Sequence, residues 1–215
     1  MIDTTTYDGL IFDLDGTLWD STQTIADAWN AAIAQFDFVD TTLTREDIRG
    51  IAGMAYDAIY EKLFPGISAE KRRELQQTAA KMELEYLHHK GGELYPALKE
   101  TLESLQHKYK LFIVSNCQSG YIEAFLQYYS LQPYFTDIAC YGDQSLPKSE
   151  NIRAVVQRNN LQNPVYIGDT QGDYDASQGA QVPFILASYG FGEVQAEVPR
   201  ISSLSDLQQL VKAEV

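Results

Sequence analysis

Short apolar runs recur along the chain and alternate with amphipathic stretches. Five of these runs are nearly continuous and rich in β-branched and aromatic residues, which is typical of strands in a parallel sheet covered on both faces. In the stretches between them, apolar residues recur every three or four positions, as on one face of a helix. Strands that alternate with helices favour an α/β, doubly wound parallel sheet. The predicted strands are Gly9–Asp13, Leu111–Ser115, Thr136–Cys140, Val165–Asp169 and Val182–Ala187.

The first connection between strands is much longer than the others. From Asp13 to Ser115 the chain advances 102 positions, whereas a strand–helix–strand unit needs only about 30 residues. The excess, residues 19–90, has helical patterns throughout, so we interpret it as a helical cap inserted into a core of residues 1–18 and 91–215. The predicted helices are a run opening at Asp20 and Ser21, then Met54–Phe64 and Ser68–His89 in the cap, and Pro96–His107, Ser119–Tyr129 and Ser149–Asn159 in the core.

The composition indicates a globular protein without a nucleic-acid role. Of the 215 residues, 45% are apolar and 12% aromatic, which is enough for a core. The chain has 16 Lys and Arg against 30 Asp and Glu, a formal net charge of −14. Binding to nucleic acid or to an anionic membrane needs a field of Lys and Arg, so we expect neither partner. The net charge does not exclude a small anionic ligand, because one local cation or metal reverses the sign of the electrostatic potential inside a cleft.

We expect a cytoplasmic protein. The N-terminal segment MIDTTTYDGL lacks the basic and apolar regions of a signal peptide, and no segment approaches the ~18 apolar residues of a membrane helix. Two cysteines, Cys117 and Cys140, are too few for a disulfide scaffold, which favours reduced thiols. Both a monomer and a homodimer are compatible with the sequence.

Polar residues gather at the predicted carboxyl ends of the strands, which is where open parallel sheets bind ligands. Four of them are carboxylates and one is a lysine, so the acids would repel one another and their pKa values would rise. A divalent cation removes this repulsion, and all-oxygen ligands without a His/Cys cluster select Mg²⁺ over Zn²⁺. The residues are Asp13, Asp15, Ser115, Asn116, Lys148, Asp169 and Asp173.

Four motifs that carry these residues follow one another in order. They are FDLDGT (12–17), VSN (114–116), LPKS (146–149) and GDTQGD (168–173). Together they closely resemble the haloacid dehalogenase-like superfamily, above all its phosphatase branch, such as the phosphoglycolate phosphatases. The resemblance covers essentially the whole chain, including the helical cap. It implies a Rossmann-like core with the nucleophile on the central strand, and an Mg²⁺-dependent phosphatase of a small phosphorylated metabolite.

The resemblance implies catalytic roles for Asp13, Asp15, Ser115 and Lys148, and a substrate-binding role for Asn116 as well as for Ser115 and Lys148. Asp13 would attack the substrate phosphorus and form an aspartyl-phosphate. Asp15 would protonate the leaving alkoxide and then activate the hydrolytic water. The Ser115 hydroxyl and the Asn116 main-chain N–H would bind phosphoryl oxygens. Lys148 would offset negative charge on the nucleophile and on the phosphoryl group.

The resemblance also implies a metal site. Mg²⁺ would be held by the Asp13 carboxylate, the Asp15 main-chain carbonyl and the Asp169 carboxylate, and Asp173 is expected to order metal-bound waters. In the cap, Arg49 precedes the loop 50–54, which relatives of this type present to the site. Arg49 could therefore reach a substrate carboxylate or phosphate, although a solvated arginine is the simpler interpretation.

Other activities stay open at this point. Asp15 predicts release of an alcohol, since superfamily members that dehalogenate lack an acid two residues after the nucleophile. A phosphonate-cleaving relative would need a cap lysine near the loop 50–54, and the sequence has none there. A sugar phosphomutase shares all four motifs and is the main alternative. In a different class, a receiver-type phospho-acceptor signalling module uses similar residues but needs neither the acid at position 15 nor a cap.

Overall fold

The chain forms a six-stranded parallel sheet with helices packed on both faces. The structure, a computed structural model, describes residues 7–54 and 56–211, apart from the side chains of residues 56 and 57. A separate antiparallel pair, formed by the second and third strands in the chain, completes the strand inventory of the described residues. The strands are β1 Gly9–Phe12, β2 Trp19–Asp20, β3 Glu93–Leu94, β4 Lys110–Ser115, β5 Asp137–Cys140, β6 Pro164–Gly168, β7 Phe184–Ala187 and β8 Arg200–Ile201.

The strand order in the large sheet is β5-β4-β1-β6-β7-β8, so β1 lies in the interior of the sheet, between β4 and β6. Each neighbouring pair is parallel. Helices lie in the connections between the successive strands of this sheet up to β7, as is usual for parallel pairing, whereas residues 188–199 join β7 to β8 without a helix. The helices are α1 Thr22–Ile33, α2 Arg45–Arg49, α3 Tyr56–Leu63, α4 Ala69–Lys90, α5 Leu98–Gln106, α6 Tyr121–Tyr129, α7 Tyr141–Gln144, α8 Lys148–Arg158, α9 Gln171–Ala180 and α10 Leu207–Leu210.

Burial on both faces explains why the strands are continuously apolar. Along β1, Leu10 and Phe12 pack into one hydrophobic cluster and Ile11 packs into a second. This follows from the two-residue period of a strand, which sends alternate side chains to opposite faces. All three side chains are fully buried. The interior strand therefore holds the residues that follow it in a fixed position relative to β4 and β6.

The predicted α/β class is confirmed, and each of the five predicted strands corresponds to a strand of the sheet. The sixth strand, β8, was not predicted. It has two residues, Arg200 and Ile201, of which only Ile201 is buried. A strand of two residues has neither a measurable hydrophobic period nor an apolar run, so its pairing with β7 depends on tertiary structure.

The residues between β2 and β3 form α1 to α4. Trp19 pairs with Leu94 and Asp20 with Glu93. The segment that leads from the large sheet to α1 therefore lies beside the segment that returns from α4 to the sheet. Helix α1 packs against α4, and α4 also packs against α6. The expectation that this segment is helical throughout was wrong for residues 34–44, 50–54 and 64–68, which form no helix. The expectation that no cap lysine lies near the loop 50–54 was also wrong, because Lys62 Nζ donates to the Gly50 carbonyl at 2.9 Å. The division into a core and a 19–90 cap stays a prediction.

Two sequence-based expectations fall partly on residues that the structure leaves out. Residues 1–6, in which we find no signal peptide, lie outside the described residues, and so does residue 55 within the predicted run Met54–Phe64. In the part of the chain that is described, no helix has the length and apolar character needed to cross a bilayer.

Candidate active site

A sharp turn directly after β1 presents two aspartates at the carboxyl end of the sheet. The Asp13 main-chain N–H still donates to Ile167 of β6, at 2.8 Å, so this residue remains fixed to the sheet. Gly16 then takes φ +84°, and its N–H donates to the Trp19 carbonyl at 2.9 Å. A Cβ at Gly16 would lie 2.1 Å from a carboxylate oxygen of Asp169. Only glycine combines this left-handed backbone with so close an approach.

Lys148 lies between two buried carboxylates. As the first residue of α8, it donates from Nζ to Asp13 Oδ1 at 2.7 Å and to Asp173 Oδ1 at 2.6 Å. The three side chains are at most 5% exposed, so water screens the charges little. Burial lowers the pKa of Lys148, but the charges of Asp13 and Asp173 outweigh burial and raise it well above its usual value. Lys148 is therefore a fixed cation beside Asp13.

Asp173 has donors on both carboxylate oxygens. Its Oδ1 accepts from Lys148, and its Oδ2 accepts from the main-chain N–H of Asp169 and from both N–H and Oγ1 of Thr170, at 2.7 to 3.2 Å. Thr170 and Asp173 form the capping box at the start of α9. Burial acts to raise the pKa of Asp173, but Lys148 and these hydrogen bonds lower it overall. An anion that is already this well coordinated suits a supporting role more than direct metal binding.

Asp13 and Asp169 carry the negative charge that these contacts leave uncompensated. Burial, followed by the Asp173 charge, raises the pKa of Asp13 to about 7, although Lys148 lowers it. Burial and the charges of Asp173 and Asp13 also raise the pKa of Asp169. The Asp169 side chain is fully buried and accepts from the Phe191 N–H at 2.7 Å and from Thr17 Oγ1 at 3.4 Å. Without a further cation, the pair resists full ionisation.

The donor set fits a small divalent cation. One carboxylate oxygen from each of Asp13, Asp169 and Asp173 lies within 4.8 Å of the others. All three donors are oxygens, which Mg²⁺ prefers over nitrogen or sulfur ligands. A bound cation would also favour the ionised forms that burial now disfavours. The predicted metal residues Asp13, Asp169 and Asp173 therefore lie together, while the Asp15 carboxylate lies outside this cluster.

Asp15 faces two hydroxyl groups instead. Its Oδ1 accepts from Ser21 Oγ at 2.6 Å and from Tyr121 OH at 2.9 Å, and these two hydroxyls lie 2.8 Å apart. Burial raises the pKa of Asp15, and the two hydrogen bonds oppose this rise. A raised pKa suits a carboxyl group that must hold a proton and then release it. Neither Ser21 nor Tyr121 was identified from the sequence, because their contact depends on how α1 and α6 pack.

Of the other predicted binding residues, two line a cavity at the carboxyl ends of the strands and one, Arg49, does not. Ser115 is the last residue of β4 and is 4% exposed. Ser115 and Asn116 both line this cavity beside Asp13. The Asn116 side chain donates to the Gly53 carbonyl at 2.9 Å and so contacts the loop 50–54. Arg49 donates to the Gly190 carbonyl at 3.0 Å and lies over the Phe191 ring. Arg49 is not among the described residues that line the cavity, so its substrate-binding role stays a prediction.

The cavity lies between the carboxyl ends of the strands and helices α1, α2 and α4. It is partly open to solvent, and about 630 Å³ of its space, open solvent included, is not filled by protein atoms, which suits a small molecule rather than a macromolecule. Its floor includes Asp13, Asp15, Ser115 and Lys148, and α4 contributes Glu83 to its wall. The catalytic residues predicted from the motifs are thus brought together around one cavity.

Glu83 is a titratable residue of the cavity that sequence reasoning missed. Its Oε2 accepts from Trp29 Nε1 at 2.5 Å and its Oε1 accepts from Gln118 Nε2 at 2.9 Å. Burial raises the pKa of Glu83 to about 7, against the effect of these two hydrogen bonds. In the sequence, Glu83 looks like one more acid on the polar face of α4. Only a break in the helical pattern, an acid where a buried position is expected, could have identified it.

Comparisons with known proteins agree with this geometry. The family model of the haloacid dehalogenase-like hydrolases matches residues 10–187, and the chain belongs to that family. A phosphoglycolate phosphatase of Aliivibrio fischeri is 29% identical over 196 residues, covering 85% of this chain and 84% of the relative. The phosphoglycolate phosphatase of Vibrio parahaemolyticus is 26% identical over 219 residues, covering 94% and 95%.

A solved structure shows the same fold. It is described as a predicted phosphoglycolate phosphatase from Haemophilus somnus, has a TM-score of 0.83 and is 20% identical, and the match covers 98% of this chain and all of that one. The family resemblance that the four motifs imply is therefore confirmed. The predicted enzyme class, a phosphatase, is confirmed with it.

Proposed function

We propose that this phosphatase is an Mg²⁺-dependent hydrolase of small-molecule phosphate monoesters that acts through an aspartyl-phosphate on Asp13. The observation that carries the proposal is the placement of Asp13. One of its carboxylate oxygens accepts from the Lys148 ammonium at 2.7 Å, and the group lies beside Asp169 and lines the floor of the cavity. Lys148 and a divalent cation would together offset the charge of a phosphoryl group, which phosphoryl transfer mainly requires.

The first half-reaction transfers the phosphoryl group to the protein. A carboxylate oxygen of Asp13 attacks phosphorus, and the bond from phosphorus to the alcohol oxygen breaks. Asp15 gives its proton to that oxygen, so the alcohol leaves uncharged. Ser115, Asn116 and Lys148 bind the phosphoryl oxygens. When bound, Mg²⁺ would neutralise charge on the transferred group, held by Asp13, the Asp15 carbonyl and Asp169.

The second half-reaction releases phosphate. Asp15, now ionised, takes a proton from water, and the water oxygen attacks the phosphorus of the aspartyl-phosphate. The bond between phosphorus and the Asp13 oxygen breaks, which restores the Asp13 carboxylate and yields inorganic phosphate. The two hydroxyls of Ser21 and Tyr121 support the ionised form of Asp15 at this stage, because both can donate to it.

Phosphate release from a panel of phosphorylated metabolites and from p-nitrophenyl phosphate tests this proposal. Chelation by EDTA should abolish release, and added Mg²⁺ should restore it, because Asp13 and Asp169 then regain their counter-ion. The matched control is EDTA that has been saturated with Mg²⁺ beforehand. Unchanged hydrolysis in EDTA would contradict the metal dependence. Isomerised sugar phosphate without free phosphate would favour the phosphomutase alternative.

Asp15→Asn should separate the two roles of this residue. An amide can neither donate nor accept the proton, so steady-state turnover should fall by about 10²- to 10⁴-fold. With p-nitrophenyl phosphate the first half-reaction needs no proton, so a burst of nitrophenolate should precede the slow phase. With an alkyl phosphate no burst should occur. Rapid-mixing kinetics would check this, and an equal loss of the first step on both substrates would rule out the acid role.

A further inference from the structure

The cavity wall beyond the phosphate site is apolar. The motif residues form its floor, while α1, α2 and the loop that follows α2 contribute mainly aliphatic and aromatic side chains, so the alcohol part of a substrate would contact this wall. The wall includes Ile25, Trp29, Ile48, Ile51 and Met54. Lys148 is the only cation among the described lining residues, and both Asp13 and Asp173 already accept hydrogen bonds from it.

Three cations lie next to this wall, and each has a partner outside the cavity. Arg45 donates to Thr22 Oγ1 at 3.1 Å and pairs with Asp20 at 2.5 Å. Arg49 donates to the Gly190 carbonyl at 3.0 Å, and Lys62 donates to the Gly50 carbonyl at 2.9 Å. None of the three is among the described residues that line the cavity. A carboxylate or a second phosphate on the alcohol part would therefore enter an apolar space without a counter-ion, which costs free energy.

Glu83 is the acidic side chain of this wall, and an ammonium group bound beside it would favour its ionised form. Each of its carboxylate oxygens accepts one N–H, from Trp29 or from Gln118, so each retains capacity for another donor. Its side chain forms no ion pair with a described Lys or Arg. The residue is 3% exposed, so water reaches it poorly. A buried carboxylate that can accept further hydrogen bonds and has no ion pair with a described Lys or Arg is complementary to a hydrogen-bond donor on a ligand.

We propose, resting on the phosphatase function above, that Glu83 selects substrates whose alcohol part ends in an amine and disfavours those that end in a carboxylate. The ammonium group would donate to the free lone pairs of Glu83, and the alkyl chain would lie against Ile25 and Ile51. The substrate class is thus an aminoalkyl phosphate rather than a phosphorylated carboxylic acid such as phosphoglycolate.

Matched substrates test this in the unmodified protein. Series of aminoalkyl, hydroxyalkyl and carboxyalkyl phosphates with equal chain lengths would be compared by kcat/KM in the presence of Mg²⁺. We expect the amine to exceed the carboxylate by at least about tenfold at the best chain length, because only the amine pairs with the buried acid. A preference for the carboxylate, or equal rates for both, would overturn the proposal.

Glu83→Gln tests whether this residue is the source of the preference. The amide keeps the size of the side chain but not the charge, so the ratio of amine to carboxylate should fall at least about fivefold. Glu85→Gln, at an exposed position on the same helix, should leave the ratio unchanged. Gln118→Met removes the bond from Gln118 to Glu83 but keeps the charge, so it should preserve the order of substrates.

A purely structural role of Glu83 would give a different result. Loss of its contacts to Trp29 and Gln118 would lower the rate for all substrates equally and leave the ratio at its wild-type value, and that outcome would overturn the proposal. Hydrolysis of p-nitrophenyl phosphate separates this test from the proposed function. If it fails in the unmodified protein, the phosphatase mechanism is wrong. If it proceeds while the amine is not preferred, only the role of Glu83 is wrong.

Discussion

Asp13→Asn is expected to abolish phosphatase turnover while the protein stays folded. An amide oxygen is a poor nucleophile, so the rate should fall by at least about four orders of magnitude, as when a covalent nucleophile is removed. The side chain keeps its shape, and Lys148 keeps its partner Asp173 at 2.6 Å. Phosphate release from p-nitrophenyl phosphate measures the loss, and thermal unfolding checks the fold.

Asp175→Asn is the matched control for this variant. Asp175 lies on α9 at an exposed position, so the same chemical change there should leave turnover within twofold or so of the wild-type rate. If Asp13→Asn retained wild-type activity, Asp13 would not be the nucleophile. Loss of activity together with loss of the folded state would call for a comparison with Asp13→Glu, which restores the charge but displaces the oxygens.

Lys148→Met is expected to reduce both activity and stability. It leaves Asp13 and Asp173 without the ammonium that both now contact, and removing one partner of a buried ion pair costs about 3–5 kcal/mol. Loss of a fixed cation beside the transferred phosphoryl group should lower kcat/KM by about 10²- to 10³-fold. Urea unfolding and steady-state kinetics measure the two effects.

Two further variants define what Lys148 contributes. Lys148→Arg keeps the charge in a larger, planar group, so stability should recover more than activity does. Lys99→Met makes the same lysine-to-methionine substitution at an exposed position on α5. It should change neither the activity nor the stability measurably. Normal stability in Lys148→Met would show that the ion pairs do not hold the floor of the cavity together.

The strand ends could be predicted from the sequence because their determinants are local. A buried strand such as β1 is a continuous apolar run, and the polar residues that follow it must lie at the edge of the sheet. Asp13, Ser115 and Asp169 therefore had predictable positions once the strands were assigned, whereas Lys148, the first residue of α8, was identified from its motif. The order of the motifs then gave the family, which the comparisons confirmed.

The partners of those residues could not be predicted in the same way. Ser21 and Tyr121 reach Asp15 only because the starts of α1 and α6 meet beside it, and 100 positions separate the two residues in the chain. Glu83 becomes part of the cavity only when α4 packs against α1 and α6. No periodicity records such contacts. An exception is Thr170, whose spacing to Asp173 is a recognisable capping box.

Trapping of the phosphoenzyme shows directly whether Asp13 is the nucleophile. The unmodified protein would be mixed with a phosphate monoester and Mg²⁺, quenched in acid within one turnover, digested and analysed by mass spectrometry, with Asp13→Asn treated in parallel. We expect one acid-stable, base-labile phosphoryl group on the peptide that contains Asp13, and none in the variant. Rapid phosphate release without any phosphorylated Asp13 peptide, or phosphorylation of a different residue, would contradict it.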